Sequence, residues 1–383
     1  MERIVYGEDG LRVLPAVVQA AGASRVFLVS GRSVSRSTPV VSNIVAALRD
    51  SFVGLYDEVS EHAGLDSVLE SAEQARAANA DLILGVGGGS AIDAGRVVAV
   101  LVSAPNELAH PGSLDELRRI TRIFKGPIVP FVTVPTTLSA AGSNWVSAVT
   151  DDRTRVKDSV GSSRLKPFAT ILDGGSAQHT PEIIWASTGI KAIDHCVELV
   201  CSPDCNPVAE ALCVHAFHTL LTWLPRSVAA DNTAEARLRC LVASAMTLSW
   251  TNVRLGVSHA LAHQIGARLH VPHGVTSCVT LPAVMSWSLE SNESRLAALA
   301  GAELFSSERG NARERAESVV KAVKELVKLL GLETSLAQYS PTESDLDAIS
   351  ELAHRELSGA GAHEAPASIT QLRALLDAMS SPM

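Results

Sequence analysis

The apolar run Asp81-Leu-Ile-Leu-Gly-Val86 breaks into Gly87-Gly88-Gly89-Ser90, and a helical pattern from Ser90 to Val102 follows at once. A continuous apolar run closed by glycine marks a strand covered on both faces, which requires helices on both sides of a sheet. Two further runs carry the same signature. Arg25-Val-Phe-Leu-Val-Ser30 is closed by Gly31, and Pro127-Ile-Val-Pro-Phe-Val-Thr-Val134 has prolines that place it near an edge or a strand end. Helical spacing from Gly64 to Ala80 separates the first two. Strands alternating with helices up to about residue 175 imply a parallel α/β sheet.

Beyond about residue 180 the period changes. Helical patterns run over Ile184 to Val200, Pro207 to Leu224, Thr233 to Ser249, Val257 to Leu269, Ala312 to Leu330, Glu343 to Leu357 and Thr370 to Met379. This half reads as all-helical, entered through Asp173-Gly-Gly and Thr180-Pro181. The expected division is therefore an α/β domain over 1–178 and a helical domain over 179–383. Ser358-Gly-Ala-Gly-Ala362 is a loop too short to link independent domains.

The chemistry of the whole chain narrows its partners. A net charge of −9 with no Lys/Arg cluster argues against nucleic acid or an anionic membrane surface as the main partner. The longest apolar run, Val97 to Val102, is too short to span a bilayer, and the N-terminus lacks a signal-peptide core. A cytoplasmic enzyme acting on a small molecule is expected. Six cysteines in 383 residues are too sparse for a disulfide framework. Cys201, Cys205, His215 and His218 hint at zinc, but an amphipathic helix from Asn206 absorbs Cys213 and the histidines, and that plainer reading is preferred.

Glycines between a strand and a helix let a backbone approach a pyrophosphate, where the helix N-terminus offers unpaired N–H groups. Gly87-Gly88-Gly89-Ser90 has that context, although a ligand-free tight turn has it too. It is not the usual dinucleotide fingerprint, since it follows a later strand and no ribose-binding acid stands about twenty residues on. Val134-Pro135-Thr136-Thr137 ends the next strand with hydroxyls and free amides. Polar turns on neighbouring strand ends face one crevice. After Gly31, Arg32 is a candidate partner for a 2′-phosphate, with no carboxylate apparent beside it; a solvated surface charge is the plainer alternative.

His259 and His263 stand four apart in a helical pattern, so both project from one face, and His273 follows in Val-Pro-His-Gly. Lys191 and His195 are likewise four apart. A lone helical histidine is usually a core or surface residue, but converging imidazoles suit a metal site or acid–base chemistry.

Gly87-Gly88-Gly89-Ser90 with Asp93, then Pro135-Thr136-Thr137, then His259-x3-His263-x9-His273-Gly274 resemble, in this order, the iron-containing alcohol dehydrogenase superfamily. The resemblance runs from Tyr6-Gly7 to at least Leu332. It implies a dinucleotide-binding α/β domain followed by a helical domain in a dehydroquinate synthase-like architecture, with the active site in the cleft between, an NAD or NADP cofactor and a homodimer. It further implies that Gly31, Arg32, Ser33 and the glycine turn hold the nucleotide, that Asp93 lies near the nicotinamide, that Thr136, Thr137 and Ser139 contact the nucleotide and that Lys157 reaches the ribose. His195, His259 and His273 match metal-ligand positions. His263 matches a histidine beside the nicotinamide that is assigned to proton relay.

The family pattern Gly-Met-Asp-x3-His reads here Gly189-Ile190-Lys191-x3-His195, so an expected Asp ligand is Lys191. A protonated lysine has no lone pair for a metal and repels a divalent cation. Asp194 is three residues along, roughly 300° round an ideal helix, and is no simple substitute. Maleylacetate reductases, a branch of the superfamily, also lack that Asp and work without metal, but they carry Asn there and a shorter loop than Leu138 to Trp145. The expectation is a metal-free, maleylacetate reductase-like enzyme that reduces a carbonyl or conjugated enone. Lys191 replaces the metal's charge, and His263 or His195 supplies the proton. The alternatives are an Fe- or Zn-dependent alcohol dehydrogenase using His195, His259 and His273, a redox-neutral cyclase of dehydroquinate synthase type, and a non-catalytic nucleotide-binding protein. Trp145, Trp250 and Arg254 are expected to shape the substrate pocket.

Overall fold

The apolar runs of the N-terminal half form the middle of a six-stranded parallel sheet. The computed structural model describes residues 3–60, 62–154, 157–229, 232–248, 255–301, 310–359 and 367–380, and all their side chains except those of Lys157 and His273. The strands are β1 (Arg3–Gly7), β2 (Val26–Ser30), β3 (Phe52–Tyr56), β4 (Leu82–Gly87), β5 (Phe131–Pro135) and β8 (Ala169–Asp173), ordered β1-β8-β5-β4-β2-β3. Between β5 and β8 in sequence, β6 (Val146–Thr150) and β7 (Lys157–Gly161) make a separate antiparallel pair.

Every residue of β2, β4, β5 and β8 is buried, as expected of strands covered on both faces. The helices of this half are α1 (Leu14–Ala20), α2 (Arg32–Ser37), α3 (Val40–Leu48), α4 (Leu65–Ala77), α5 (Gly89–Ser103), α6 (Leu114–Ile123) and α7 (Gly174–Ala177). The period-2 alternation of β2 feeds two layers. Phe27 and Val29 pack with Ile92, Val97 and Leu101 of α5, whereas Val26 and Leu28 pack with Leu14 of α1 and Ile44 of α3. The proline-bearing run is an interior strand. Pro127 and Pro130 precede β5 and Pro135 ends it, so no proline interrupts its middle.

The second half is helical: α8 (Glu182–Cys201), α9 (Pro207–Ser227), α10 (Ala234–Leu248), α11 (Val257–Leu269), α12 (His273–Trp287), α13 (Glu293–Ala298), α14 (Ala312–Leu329), α15 (Glu343–Leu357) and α16 (Ile369–Ser380). Helix α8 is buried on most of its circumference, including Asp194, His195 and Glu198. A helix of that kind presents useful side chains on more than one face. Among the described residues, no helix is long and apolar enough to cross a membrane.

The chain forms two compact units. One comprises 1–180 with 232–245, and the other 181–231 with 246–383. Most of α10 thus belongs with the sheet although its sequence lies inside the helical half. Its attachment is close. A Cβ on Gly174 would lie 2.2 Å from the Ala234 carbonyl oxygen. Arg237 donates to the carbonyls of Ala177 (3.2 Å) and Thr180 (3.3 Å), and Ser244 donates to that of Leu138 (2.8 Å).

Candidate active site

In the first unit the strand-to-helix turn forms as its glycines require. Gly87 has φ +128°, a backbone conformation that side chains disfavour, and Gly88 leads into α5 as its N-cap without a side-chain cap. The two following glycines are closely lined. A Cβ on Gly88 would meet Thr137 at 3.4 Å, and one on Gly89 would meet Ser139 Oγ at 3.3 Å. Thr137 Oγ1 and Ser139 Oγ are buried and make no hydrogen bond among the described residues. Two unpartnered hydroxyls beside a bare helix N-terminus fit a phosphate-bearing nucleotide, which supplies the missing acceptors.

The other expected nucleotide residues divide. Thr136 is buried in structural bonds: its amide donates to Gly87 O (2.9 Å), so it is not free, and its carbonyl accepts from Thr180 Oγ1 (2.7 Å). Ser90 Oγ accepts from the His62 amide at 3.0 Å. Asp93 pairs with buried Arg96 (3.1 Å) and accepts from the Ala148 amide (3.3 Å), while Arg96 also donates to Val146 O (2.8 Å) and to Ala141 O. Asp93 therefore helps fix the 141–148 segment that holds Trp145. Gly31 and Ser33 flank Arg32 at the end of β2, where Arg32 is salt-bridged to Glu58. A carboxylate does stand there, contrary to the sequence reading, because the chain leaving the neighbouring strand β3 supplies it. The backbone of Lys157 lies in β7, paired with Thr150; its side chain is outside the described residues.

In the second unit, α8 and α11 bring their histidines together. The rings of His195 and His259 stack with centroids 4.9 Å apart, and His263 meets His259 edge-on at 6.2 Å. His259 is held through Nδ1 by Glu198 Oε2 at 2.7 Å, with Asp194 Oδ2 3.4 Å away. Glu198 also accepts from the amides of Gly256 (2.7 Å), Ser258 (2.6 Å) and His259 (3.4 Å). It supplies the cap that α11 lacks in its own sequence, at a helix end that favours an anion. Asp194 Oδ2 accepts from Ser258 Oγ at 3.0 Å, and Ser258 is bonded in turn to Thr280 at 2.8 Å. His195 Nδ1 lies 3.4 Å from Thr247 Oγ1, and His263 Nδ1 lies 2.8 Å from Glu356 Oε1. His259 Nε2 is buried and has no hydrogen-bond partner among the described residues.

These surroundings drive the rings apart. Burial, then the charges of His259, Lys191 and His263, push His195 well below the ordinary histidine range. Burial also lowers His263, against the pull of Glu356. For His259, burial opposes the charged form, but Asp194 and Glu198 outweigh it and the pKa rises. Burial pushes the Asp194 carboxyl up to about 7; His259 opposes this and Glu198 reinforces it. Lys191 bears on all three imidazoles, in each case disfavouring the protonated ring.

Helix geometry alone sets Asp194 aside, and the sequence reading gives Glu198 no role. Asp194 does reach His259, since α8 is packed all round and the cluster spans more than one face. Glu198 stands seven residues after Lys191 and three after His195, a helical spacing that marks the same face.

A metal ion fits this donor set poorly. Asp194, Glu198 and His259 place one ligand atom each within 4.8 Å of one another. However, the 2.7 Å between Nδ1 and Oε2 is a hydrogen-bond length, whereas two ligands on one tetrahedral zinc lie about 3.3 Å apart. The oxygens of Glu198 are already taken by N–H groups. Lys191 adds a positive charge that bears on the same imidazoles. The side chain of His273, which begins α12, is outside the described residues, as are Trp250 and Arg254. Cys201 closes α8 and Cys205 follows it, while His215 and His218 lie on α9; among the described residues no metal-binding group includes any of the four.

A family model described as iron-containing alcohol dehydrogenase matches residues 2–174, and one for the C-terminal part of the Fe-containing alcohol dehydrogenase family matches 185–379. The NADPH-dependent butanol dehydrogenase of Clostridium saccharobutylicum is 27% identical over 364 residues, covering 91% of this chain and 89% of that protein. A crystal structure of 1,3-propanediol oxidoreductase superposes with a TM-score of 0.87 at 26% identity, covering 98% of this chain and 97% of the other. Maleylacetate reductase from Agrobacterium tumefaciens shares the fold, with a TM-score of 0.78 at 22% identity over 99% of this chain and 95% of its own.

Proposed function

This chain is an NAD(P)-dependent oxidoreductase of the iron-containing alcohol dehydrogenase family, and from that premise we propose that it reduces a carbonyl or conjugated enone without a metal ion. The observation that carries the reading is an imidazole held by a carboxylate within the electrostatic reach of a lysine. Lys191 acts on His195, His259 and His263, and Glu198 holds His259 by Nδ1 with Nε2 unpartnered. NAD(P)H, when bound, supplies the hydride.

Thr137, Ser139 and the glycine turn bind the nucleotide phosphates. Lys191 stabilises the negative charge that grows on the substrate oxygen as its carbonyl carbon accepts the hydride. A proton then moves to that oxygen. His259 is better suited to deliver it than His195 or His263, because the carboxylates behind it favour its charged form while burial keeps the other two rings neutral. A carboxylate on one ring nitrogen fixes which proton the other can exchange. His263, bonded to Glu356, exchanges protons between His259 and solvent.

Metal analysis of purified protein, followed by carbonyl-dependent NAD(P)H oxidation with and without a chelator, tests this reading. The expected result is substoichiometric Fe and Zn with activity unaffected by chelation. Stoichiometric metal required for turnover overturns it and favours an alcohol dehydrogenase dependent on that ion.

A further inference from the structure

The level at which three strands end places a charged cluster beside the glycine turn. Ser30 of β2 is in register with Val86 of β4, and Val29 with Tyr56 of β3. Gly31-Arg32, Gly87-Gly88 and Asp57-Glu58 therefore leave adjacent strands side by side, about 4.8 Å apart. The Val59 amide donates to Ser30 O at 3.3 Å and ties the outer pair together. Gly31 has open space where a Cβ would point.

Four charges meet there. Arg36 grips Asp57 through Nε (2.9 Å) and Nη2 (3.0 Å) and reaches Glu58 at 2.5 Å, while Arg32 pairs with the other oxygen of Glu58. The Arg32 side chain is 65% exposed and that of Glu58 39%. Glu58 thus bridges two guanidinium groups, of which Arg36 is also anchored on Asp57 and Arg32 is exposed, and an exposed pair such as Arg32–Glu58 is exchangeable.

An open α/β sheet that binds a pyrophosphate at one strand end carries the adenosine over the next. A ribose 2′-hydroxyl there calls for a carboxylate acceptor, and a 2′-phosphate for arginine. Both groups are present, but the carboxylate occupies the arginines. Resting on the reading of the glycine turn as a nucleotide site, we propose that Glu58 sets the cofactor preference: it accepts from the ribose hydroxyls of NADH and, by holding Arg32 and Arg36, excludes the 2′-phosphate of NADPH. Removing its charge releases Arg32 for a 2′-phosphate, while Arg36, still held by Asp57, stays beside it as a second positive charge.

The test is a fluorescence titration of the purified full-length chain with NADH and with NADPH, for the wild type, Glu58→Gln and Glu58→Gln/Arg32→Ala. The wild type should bind NADH more tightly. Glu58→Gln should shift the preference toward NADPH by about tenfold or more, with a gain that weakens as salt rises; adding Arg32→Ala should abolish it. A wild type that prefers NADPH, or a shift below about twofold in Glu58→Gln, overturns the proposal while leaving the nucleotide site intact. A wild type that binds neither nucleotide overturns the reading of the glycine turn and this proposal with it.

Discussion

Replacing Glu198 by Gln exchanges one oxygen for an amide and removes a charge from a group that serves four donors. In the native site Oε1 accepts from the amides of Ser258 and His259, and Oε2 from the amide of Gly256 and from His259 Nδ1. A glutamine oxygen in the Oε1 place keeps the first two, and its NH2 group then points at the Gly256 N–H, donor against donor. Leaving one buried donor unmet costs about 1–3 kcal/mol, and the lost charge at the N-terminus of α11 adds roughly 0.3–1 kcal/mol. A destabilisation of about 1–4 kcal/mol should lower the melting temperature of a unit of this size by roughly 3–16 °C. The catalytic consequence is separate. The glutamine NH2 donates to Nδ1, so the ring carries its proton on Nε2 and is no longer favoured in its charged form. The loss of one charge-assisted hydrogen bond, about 1.5–3 kcal/mol, corresponds to a roughly 10- to 100-fold drop in kcat. Circular dichroism melting and steady-state NAD(P)H oxidation measure the two effects independently. A variant that melts within about 1 °C of the wild type and turns over at the same rate refutes both the capping of α11 and the orientation of His259 by this carboxylate.

Three further outcomes are expected. Lys191→Met should lower kcat/KM by about 100- to 1,000-fold, because the charge acts on the transition state; unchanged kcat/KM would remove Lys191 from the mechanism. Thr137→Val with Ser139→Ala should weaken nucleotide binding about tenfold without lowering stability, since the lost hydroxyls have no partner in the described protein; equal loss of stability would mark them as structural. Hydrogen bonds from Thr342 and the pull of Arg268 hold the Asp345 carboxyl at about 2, below its ordinary 3.8. A depressed carboxylate stabilises the fold above about pH 4 and loses that contribution as pH falls through about 2. Asp345→Asn should therefore melt below the wild type at pH 7, and the two melting curves should converge toward pH 2; a gap that persists there contradicts the assignment.

Much of the fold can be read in the chain because its strands are apolar on both faces and its long helices keep a regular period. The helices Val257–Leu269 and Glu343–Leu357 begin and end where their patterns do. The site is legible to the extent that its residues recur at helical spacing, as Lys191 with His195 and His259 with His263 do. Contacts across sequence are less accessible. The pairing of Glu198 with His259 spans 61 positions, and that of Glu58 with Arg32 spans 26. Glu198 shares a helical spacing with Lys191 and His195, but nothing local marks His259 as its partner, and register, not composition, brings Glu58 level with Arg32. The exposed β1 edge, with Ile4 and Tyr6 outward, lacks the continuous apolar signal of β2 and β4.

The path of α10 has a consequence for how the molecule is made. The sheet-bearing unit is not finished when the ribosome has delivered its last strand; it waits for residues 232–245, some fifty positions after Thr180. Until they emerge, Gly174 faces a gap in place of the Ala234 carbonyl, and the Leu138, Ala177 and Thr180 carbonyls lack the donors they later receive from Ser244 and Arg237. A fragment ending near residue 180 lacks the Arg237 and Ser244 donors and the packing of α10, so cutting the gene at the apparent half-way boundary should yield an aggregation-prone product. The two halves of the primary structure are interleaved, and they mature together.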